Sequence, residues 1–376
     1  MDDVVIVEAV RTPIGRRGGV LSEIRADELL AMVLQEVVRR AGVEPGVVED
    51  VIVGCVTQVG EQGANVARVG ALLAGLPVEV AATSVNRQCG SSHQAIHFAS
   101  QTIRSGDADV VIAAGVESMS RVALGSDYGE WHPRLLKQYD LVHQGIAAEM
   151  LAQRYGLTRE ECDRYSLESH RRAAGATDQG RFKHEIMPVQ GKGGISAAVD
   201  EGIRRDTSME RLAALQPAFK PDGLVTAGNS SQISDGAAAV LLMSERRAAA
   251  LSLHPRARIV ARAVVGSDPV IMFTGVAPAT RKVLDRAGLR VQDIDAFEVS
   301  EAFAPVVLAW AAAIEPQMDR VNPNGGGISL GHPVGASGAR LMTTLLHELE
   351  RTGGRYGLQV VCIGWGMATA TVIERL

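Results

Sequence analysis

The stretch Arg40-Ala41-Gly42-Val43, followed by Val48-Glu49-Asp50-Val51-Ile52-Val53, has a counterpart in Arg286-Ala287-Gly288-Leu289, followed by Ile294-Asp295-Ala296-Phe297-Glu298-Val299, at an ungapped offset of 246 residues. Each copy reads as a helix stopped at glycine and then a buried strand. One such pairing is weak, but the next unit recurs too. Loop, helix, glycine turn and apolar strand occur in Cys89 to Val116 and again in Gly331 to Gly364. A duplicated α/β domain is the economical reading.

Working outward, Val4-Val5-Ile6-Val7 and Val51-Ile52-Val53-Gly54 predict buried strands around an amphipathic helix over Asp27 to Arg40. A helix from Ser91 to Arg104, a Gly106-Asp107 turn and the apolar strand Val110 to Val116 continue the βαβ pattern, which predicts parallel, covered strands. Between the halves the chain is richer in Arg, Glu, Gln and His and poor in strand signals, so it reads as a mostly helical insertion. The pattern returns at Asp235 with a helical turn and the strand Ala239 to Met243. The expected organisation is therefore residues 1–119 as a first half completed by 236–249, an insertion over 120–235, and a second half over 250–376.

The 376 residues are 46% hydrophobic and 22% charged, which excludes a disordered chain. Thirty-eight basic and 43 acidic side chains, without long runs of either sign, argue against nucleic acid or an anionic membrane as partner and favour small molecules. The start Met1-Asp2-Asp3 has no basic region before an apolar stretch, and the longest apolar run, Ala302 to Ile314, contains Pro305 and is shorter than the roughly 20 residues of a membrane span. A cytoplasmic location is the expectation. The four cysteines, 55, 89, 162 and 362, form no C-x-x-C pair and have no histidine at zinc-ligand spacing, so no metal site is expected. In such a compartment each is by default a small, reduced, buried hydrophobe.

Local context makes exceptions of two of them. Cys89, in Val85-Asn86-Arg87-Gln88-Cys89-Gly90-Ser91-Ser92, lies between a predicted strand and a helix start, where free N–H groups favour thiolate and would lower the thiol pKa. Cys362 ends a predicted strand before Gly364-Trp365-Gly366, the place where open α/β sheets collect ligands. His332 stands alone in the glycine-rich stretch Asn324 to Gly338, next to a helix start, placed to take a proton from a thiol or to bond an oxyanion. Each residue singly also suits a structural turn or core position. Two thiols and one imidazole at strand ends suit a covalent thioester intermediate with a second proton shuttle. The glycine stretch lacks the Gly-Lys-Ser/Thr of a phosphate loop, and dinucleotide binding is rejected.

Asn86 to Ser92, Thr226-Ala227-Gly228-Asn229-Ser230-Ser231, Asp235-Gly236-Ala237-Ala238-Ala239, Glu301-Ala302-Phe303-Ala304, Gly331-His332-Pro333-Val334-Gly335-Ala336-Ser337-Gly338 and Cys362-Ile363-Gly364 together resemble the thiolase family over nearly the whole chain, most of all its degradative 3-ketoacyl-CoA members. The resemblance implies a five-layer αβαβα core, each half with a mixed five-stranded sheet, and the insertion as a loop domain over the active site. It implies that Cys89 attacks the 3-keto carbon of a 3-ketoacyl-CoA and releases acetyl-CoA, that His332 activates the thiol, and that Cys362 protonates the leaving enolate. Oxyanion sites would involve His332 and the backbone N–H groups of Cys89 and Gly364. Coenzyme A is a co-substrate, with no permanently bound cofactor. It would meet Arg204 near its phosphates and Leu215, Phe219, Ala227 and Ser231 along adenine and pantetheine. His143, Ala302 and Phe303 would border the thioester, with Met272 also among the substrate-binding positions. A homodimer or homotetramer is implied as well.

This chain departs from the family pattern at several points. Ser300 replaces the asparagine that holds a catalytic water, Trp365 and Ala368 replace glycines, and Phe273 and Val276 stand where glycine and proline are frequent. These departures motivate the alternative of a catalytically weak acyl-CoA-binding subunit. A ketoacyl-synthase-like condensing enzyme shares the fold, but pairs its cysteine with two histidines or a histidine and an asparagine, which Cys362 disfavours.

Overall fold

A computed structural model of the chain describes residues 3–376. Met1 and Asp2, on which the expectation of no secretory leader partly rests, lie outside the described residues.

The first half runs through β1 (Val4–Arg11), the short β2 (Gly15–Arg16), α1 (Ala26–Ala41), β3 (Asp50–Gly54), α2 (Val66–Leu73), β4 (Ala81–Val85), α3 (Ser91–Ser105) and β5 (Val110–Ser118). The insertion carries α4 (Pro133–Gln138), α5 (Gln144–Tyr155), α6 (Arg159–Asp178), a small ribbon of β6 (Val189–Gln190) and β7 (Ser196–Ala197), and α7 (Met209–Ala213). The chain then adds β8 (Ser234–Ser244) to the first sheet and passes through α8 (Glu245–Ala250). The second half consists of β9 (Ala257–Gly266), α9 (Val276–Ala287), β10 (Ala296–Val299), α10 (Ala304–Ile314), α11 (Ser337–Thr352), β11 (Tyr356–Ile363) and β12 (Met367–Arg375).

The repeat seen in the sequence is a repeat of structure. Helices α1 and α9 both stop at a left-handed glycine, Gly42 at φ 67° and Gly288 at φ 65°, a conformation that only glycine adopts without steric cost. Helices α3 and α11 start at Ser91 and Ser337, again 246 residues apart.

The sheet order is β10-β11-β12-β9-β1-β8-β5-β3-β4, with β2 beside β8. The two halves join edge to edge where Val5 and Ile6 pair with Arg258 and Ala257. The strands are not all parallel. Strand β3 is parallel to β4 and β5, and β10 to β11, whereas β8 is antiparallel to β5 and β1, and β12 to β9 and β11. A strand covered on both faces reads as an unbroken apolar run in either direction, so the pattern reported burial and not polarity. The tight turn between Ile363 and Met367 can join only antiparallel neighbours.

Two further expectations are corrected. The region at Asp235 is not a helical turn, because Asp235 already pairs with Gly15 on one side and Ser118 on the other. The second half has four strands, and a single parallel bridge from Phe297 to Val321 stands where a fifth would lie. Asn322 at φ 46° and then Pro323 stop that segment from extending.

The layering is as the resemblance implies. One core packs α1 and α2 on the outer face of the first sheet, and another packs α9 and α10 on the outer face of the second. Between the sheets, Ala95, Ile96 and Ala99 of α3 meet Met342, Leu345 and Leu346 of α11. Each of these larger side chains, fully removed from water, contributes roughly 1.5–3 kcal/mol. The two central helices touch at their N-termini. A Cβ on Gly338 would lie 2.2 Å from the His93 nitrogen, and the Ala339 N–H donates to Ser92 Oγ at 2.9 Å. Thus the starts of α3 and α11, which follow Cys89 and His332, are held against each other at the middle of the molecule. Among the described residues no helix is long and apolar enough to cross a membrane. Most of the run Ala302 to Ile314 forms α10, packed on α9 and α5.

Candidate active site

Cys89 sits at the end of a turn that fastens itself. Asn86 Nδ2 donates to the Val56 carbonyl at 2.9 Å and Asn86 Oδ1 accepts the Gln88 N–H at 2.9 Å. Ser91 Oγ accepts the Arg87 N–H at 2.9 Å and donates to the Gln88 carbonyl at 2.6 Å. These bonds hold Gln88 at φ 45°, a conformation rarely adopted by a residue with a side chain, and fix the direction of the next side chain.

The Cys89 thiol opens on a cavity of about 450 Å³, walled also by Gly364, Trp365, Met272 and His143. Burial pushes this thiol up to about 12; Cys362 adds to the effect, and the backbone N–H groups of Cys89 and Gly364, which face the sulfur, oppose it. The expectation that the helix start lowers this pKa is therefore corrected: the thiol is raised. Desolvation of a charged sulfur outweighs two N–H dipoles.

Cys362, 1% exposed, is the last residue but one of the buried run of β11. Ser300 Oγ lies 3.5 Å from its sulfur, and the Ala302 N–H also faces it. Burial raises this thiol to about 11 against those donors. Ser300 thus touches the second thiol directly.

His332 is 6% exposed. Its backbone N–H donates to the Gln232 carbonyl and to Ser234 Oγ. Nδ1 lies 2.6 Å from Ser337 Oγ, whose own hydrogen goes to the Pro333 carbonyl at 2.9 Å. With that proton committed, Ser337 accepts from Nδ1–H, and the neutral ring keeps its lone pair on Nε2. Nε2 is buried without a hydrogen-bond partner. Burial first, and the Arg340 charge second, lower the His332 pKa to about 4. Two residues on, Val334 packs against Cys89 and lines the same cavity.

The positions expected for coenzyme A spread along the insertion. His143 caps α5 through its Nδ1, which accepts the Gly145 N–H, and its ring stacks on Phe219 at 5.2 Å. Phe219 meets Phe303 edge-on at 6.0 Å, and Phe303 meets Phe273 at 5.7 Å. The Ser231 N–H donates to the Ala302 carbonyl at 2.9 Å. Leu215 lies over Gly228, next to the exposed Ala227. Arg204 is exposed on the surface, with its backbone N–H on His170 Nδ1. Of this set, His143 and Met272 reach the cavity of Cys89, Phe219 adjoins it through His143, and Phe303 lies one ring farther out, while the Ala302 N–H faces Cys362.

Several supporting residues escaped sequence reasoning. Glu117, buried at the end of β5, accepts N–H groups from Val56, Thr57 and Gly335 and so ties the first half to the histidine loop. Glu301 accepts from Tyr165, Ser169, Asn322 and the Ile328 N–H, joining α6 of the insertion to the glycine-rich loop. Ser337 lay in a quoted motif without a role. Glu117 is marked only by following the apolar run Val110 to Val116, and Glu301, like Ser337, only by its place in a motif.

Comparison with known proteins accords with this geometry. The family model for the thiolase N-terminal domain matches residues 4–246 and that for the thiolase C-terminal domain matches residues 253–375. The chain is 47% identical to the steroid 3-ketoacyl-CoA thiolase FadA6 of Mycobacterium tuberculosis over 100% of its own length and 95% of the relative's. It is 48% identical to the 3-ketoacyl-CoA thiolase of Pectobacterium carotovorum, with both chains covered in full. The crystal structure of the Bacillus anthracis acetyl-CoA acetyltransferase superposes with a TM-score of 0.93 at 41% identity, covering 100% of this chain and 99% of that one. Both halves of the duplicated fold are matched, and so are the loops that carry the two thiols and the histidine: the chain belongs to the thiolase family.

Proposed function

We propose that the protein is an acyltransferase of the 3-ketoacyl-CoA thiolase type, working through Cys89. The reading rests above all on the Cys89 thiol, which opens on the cavity and whose ionisation is opposed by the neighbouring Cys362 while the backbone N–H groups of Cys89 and Gly364 face its sulfur. Cys89 Sγ attacks the 3-keto carbon as its proton passes to His332 Nε2. The bond between C2 and C3 breaks, its electron pair forms the enolate of acetyl-CoA, and the Cys362 S–H protonates C2. Acetyl-CoA leaves and the shortened acyl group stays on Cys89 as a thioester. Coenzyme A then enters, Cys362 takes its proton, the coenzyme A sulfur attacks the acyl carbon, and Cys89 departs with the proton held by His332. All steps are reversible, so the same groups serve condensation.

The enolate is the costly species, and each donor aimed at a developing oxyanion is worth roughly 3–4 kcal/mol. Coenzyme A is the co-substrate, lying along His143, Phe219 and Ser231, with its phosphates toward Arg204. The active form is a homo-oligomer.

Incubation with a 3-ketoacyl-CoA and coenzyme A tests the assignment. Acetyl-CoA is expected to accumulate over many turnovers. One equivalent per protein, or none, replaces the enzyme with an acyl-CoA-binding subunit. Within this scheme Ser300→Ala removes the hydroxyl that bonds Cys362, and kcat is expected to fall roughly tenfold. Steady-state kinetics checks this, and an unaltered kcat removes Ser300 from the proton shuttle.

A further inference from the structure

One of the departures noted in the sequence, Trp365, does not pack away from the site. It follows Gly364, whose N–H faces the Cys89 sulfur, and it lines the cavity into which that sulfur opens. Its backbone is left-handed at φ 61°, next to Gly366 at φ 78°, in a turn where glycine would be free of strain. A bulky side chain held there against its backbone preference calls for a reason beyond folding.

The indole is one side of a cluster of three rings. Trp131 meets Trp365 edge-to-face at 5.0 Å and 89°, and Tyr128 lies 5.5 Å from Trp365 and 6.3 Å from Trp131. Tyr128 and Trp131 come from the insertion and are 48% and 40% exposed, so the rings still have apolar surface to cover. The Tyr128 hydroxyl reaches Gln88 Oε1 at 3.4 Å, which fastens the cluster to the turn that aims Cys89. Leu124, Val142, Met272 and Val334 complete an apolar enclosure around the same space.

Resting on the thiolase reading, we infer that Tyr128, Trp131 and Trp365 form the wall that receives the acyl group beyond the 3-keto carbon, and that this wall selects bulky, ring-bearing apolar acyl groups. Two indoles at right angles make a corner rather than a slot. A wide, rigid group covers both faces of a corner at once, whereas a straight chain touches one face at a time and gives up rotational freedom in doing so. The four-carbon acetoacetyl group leaves the corner largely unfilled in a cavity of this size.

The test compares kcat/KM for acetoacetyl-CoA, a straight-chain 3-ketoacyl-CoA and a 3-ketoacyl-CoA bearing a saturated fused-ring acyl group. The same series is run as binding constants with non-reacting saturated acyl-CoA analogues of the same groups, in the native protein and in Trp365→Gly and Trp131→Leu. The native protein is expected to prefer the ring-bearing thioester, and each variant is expected to lower its advantage over acetoacetyl-CoA roughly tenfold or more. Trp365→Gly is expected to keep the native melting temperature, since glycine suits the turn; a purely structural tryptophan would instead lower it. Ratios that are the same in the variants and the native protein overturn the wall. Loss of turnover with all thioesters, with the binding ratios still shifted by the variants, sinks the thiolase reading and leaves the wall standing.

Discussion

Cys89→Ala is expected to reduce thiolysis of 3-ketoacyl-CoA by at least roughly 10⁴-fold and to leave no covalent adduct on the protein. The reason is positional. The remaining thiols do not substitute for it: Cys362 is 1% exposed and held by Ser300, and Cys55 and Cys162 are fully buried, with burial raising both thiols. The N–H of Gly364 faces the Cys89 sulfur. Backbone donors and bound coenzyme A persist in the variant, so a small residual rate is compatible with the scheme, but a bond to carbon is not. Intact-protein mass spectrometry after incubation with a 3-ketoacyl-CoA, without coenzyme A, should show the acyl mass on the native chain alone. An adduct of the same mass on the variant would move the nucleophile elsewhere.

Much of this site is legible in the sequence, for a definite reason. The duplication preserved helix stops and strand starts at a fixed spacing, so Gly42 and Gly288, or Ser91 and Ser337, announce themselves as pairs. The thiols and histidine follow, because they sit where those repeated elements begin and end. Strand direction was not legible, since the apolar runs of β5 and β8 are buried on both faces and look alike whichever way they run. Nor was the linkage through Glu117 and Glu301, whose partners lie far along the chain: Gly335 from Glu117, Tyr165 from Glu301. Tyr128 and Trp131 carry no signal in the sequence, because no local pattern says that they will line the cavity of Cys89.

The ionisation of Cys89 was misjudged for the same reason. A helix start is visible in sequence, but the enclosure that cancels its effect is built by residues from both halves and the insertion. Burial acts with opposite sign on Cys89 and His332. It raises the thiol to about 12 and lowers the imidazole to about 4, because each charged form loses water. Groups set so far apart do not exchange a proton at rest. In the proposed scheme, transfer from Cys89 to His332 therefore accompanies attack on the carbonyl.

His332→Ala is consequently expected to lower kcat by roughly 10³–10⁴-fold, the usual range for loss of a positioned base. The pH dependence follows from the direction of the shift. Burial, then Arg340, hold the imidazole below the ordinary histidine value of 6.5, so it stays neutral down to about pH 4 and is protonated only beneath that. In the native protein kcat/KM should therefore stay level from pH 7 to pH 5, where an exposed histidine would already have lost its function as base. Ser337→Ala frees the ring to place its proton on either nitrogen, so part of the population presents Nε2–H to the thiol and kcat falls, by less than in His332→Ala. A pH profile that bends near 6.5 in the native protein would mean that His332 is solvated during turnover, and the tautomer argument would fail with it.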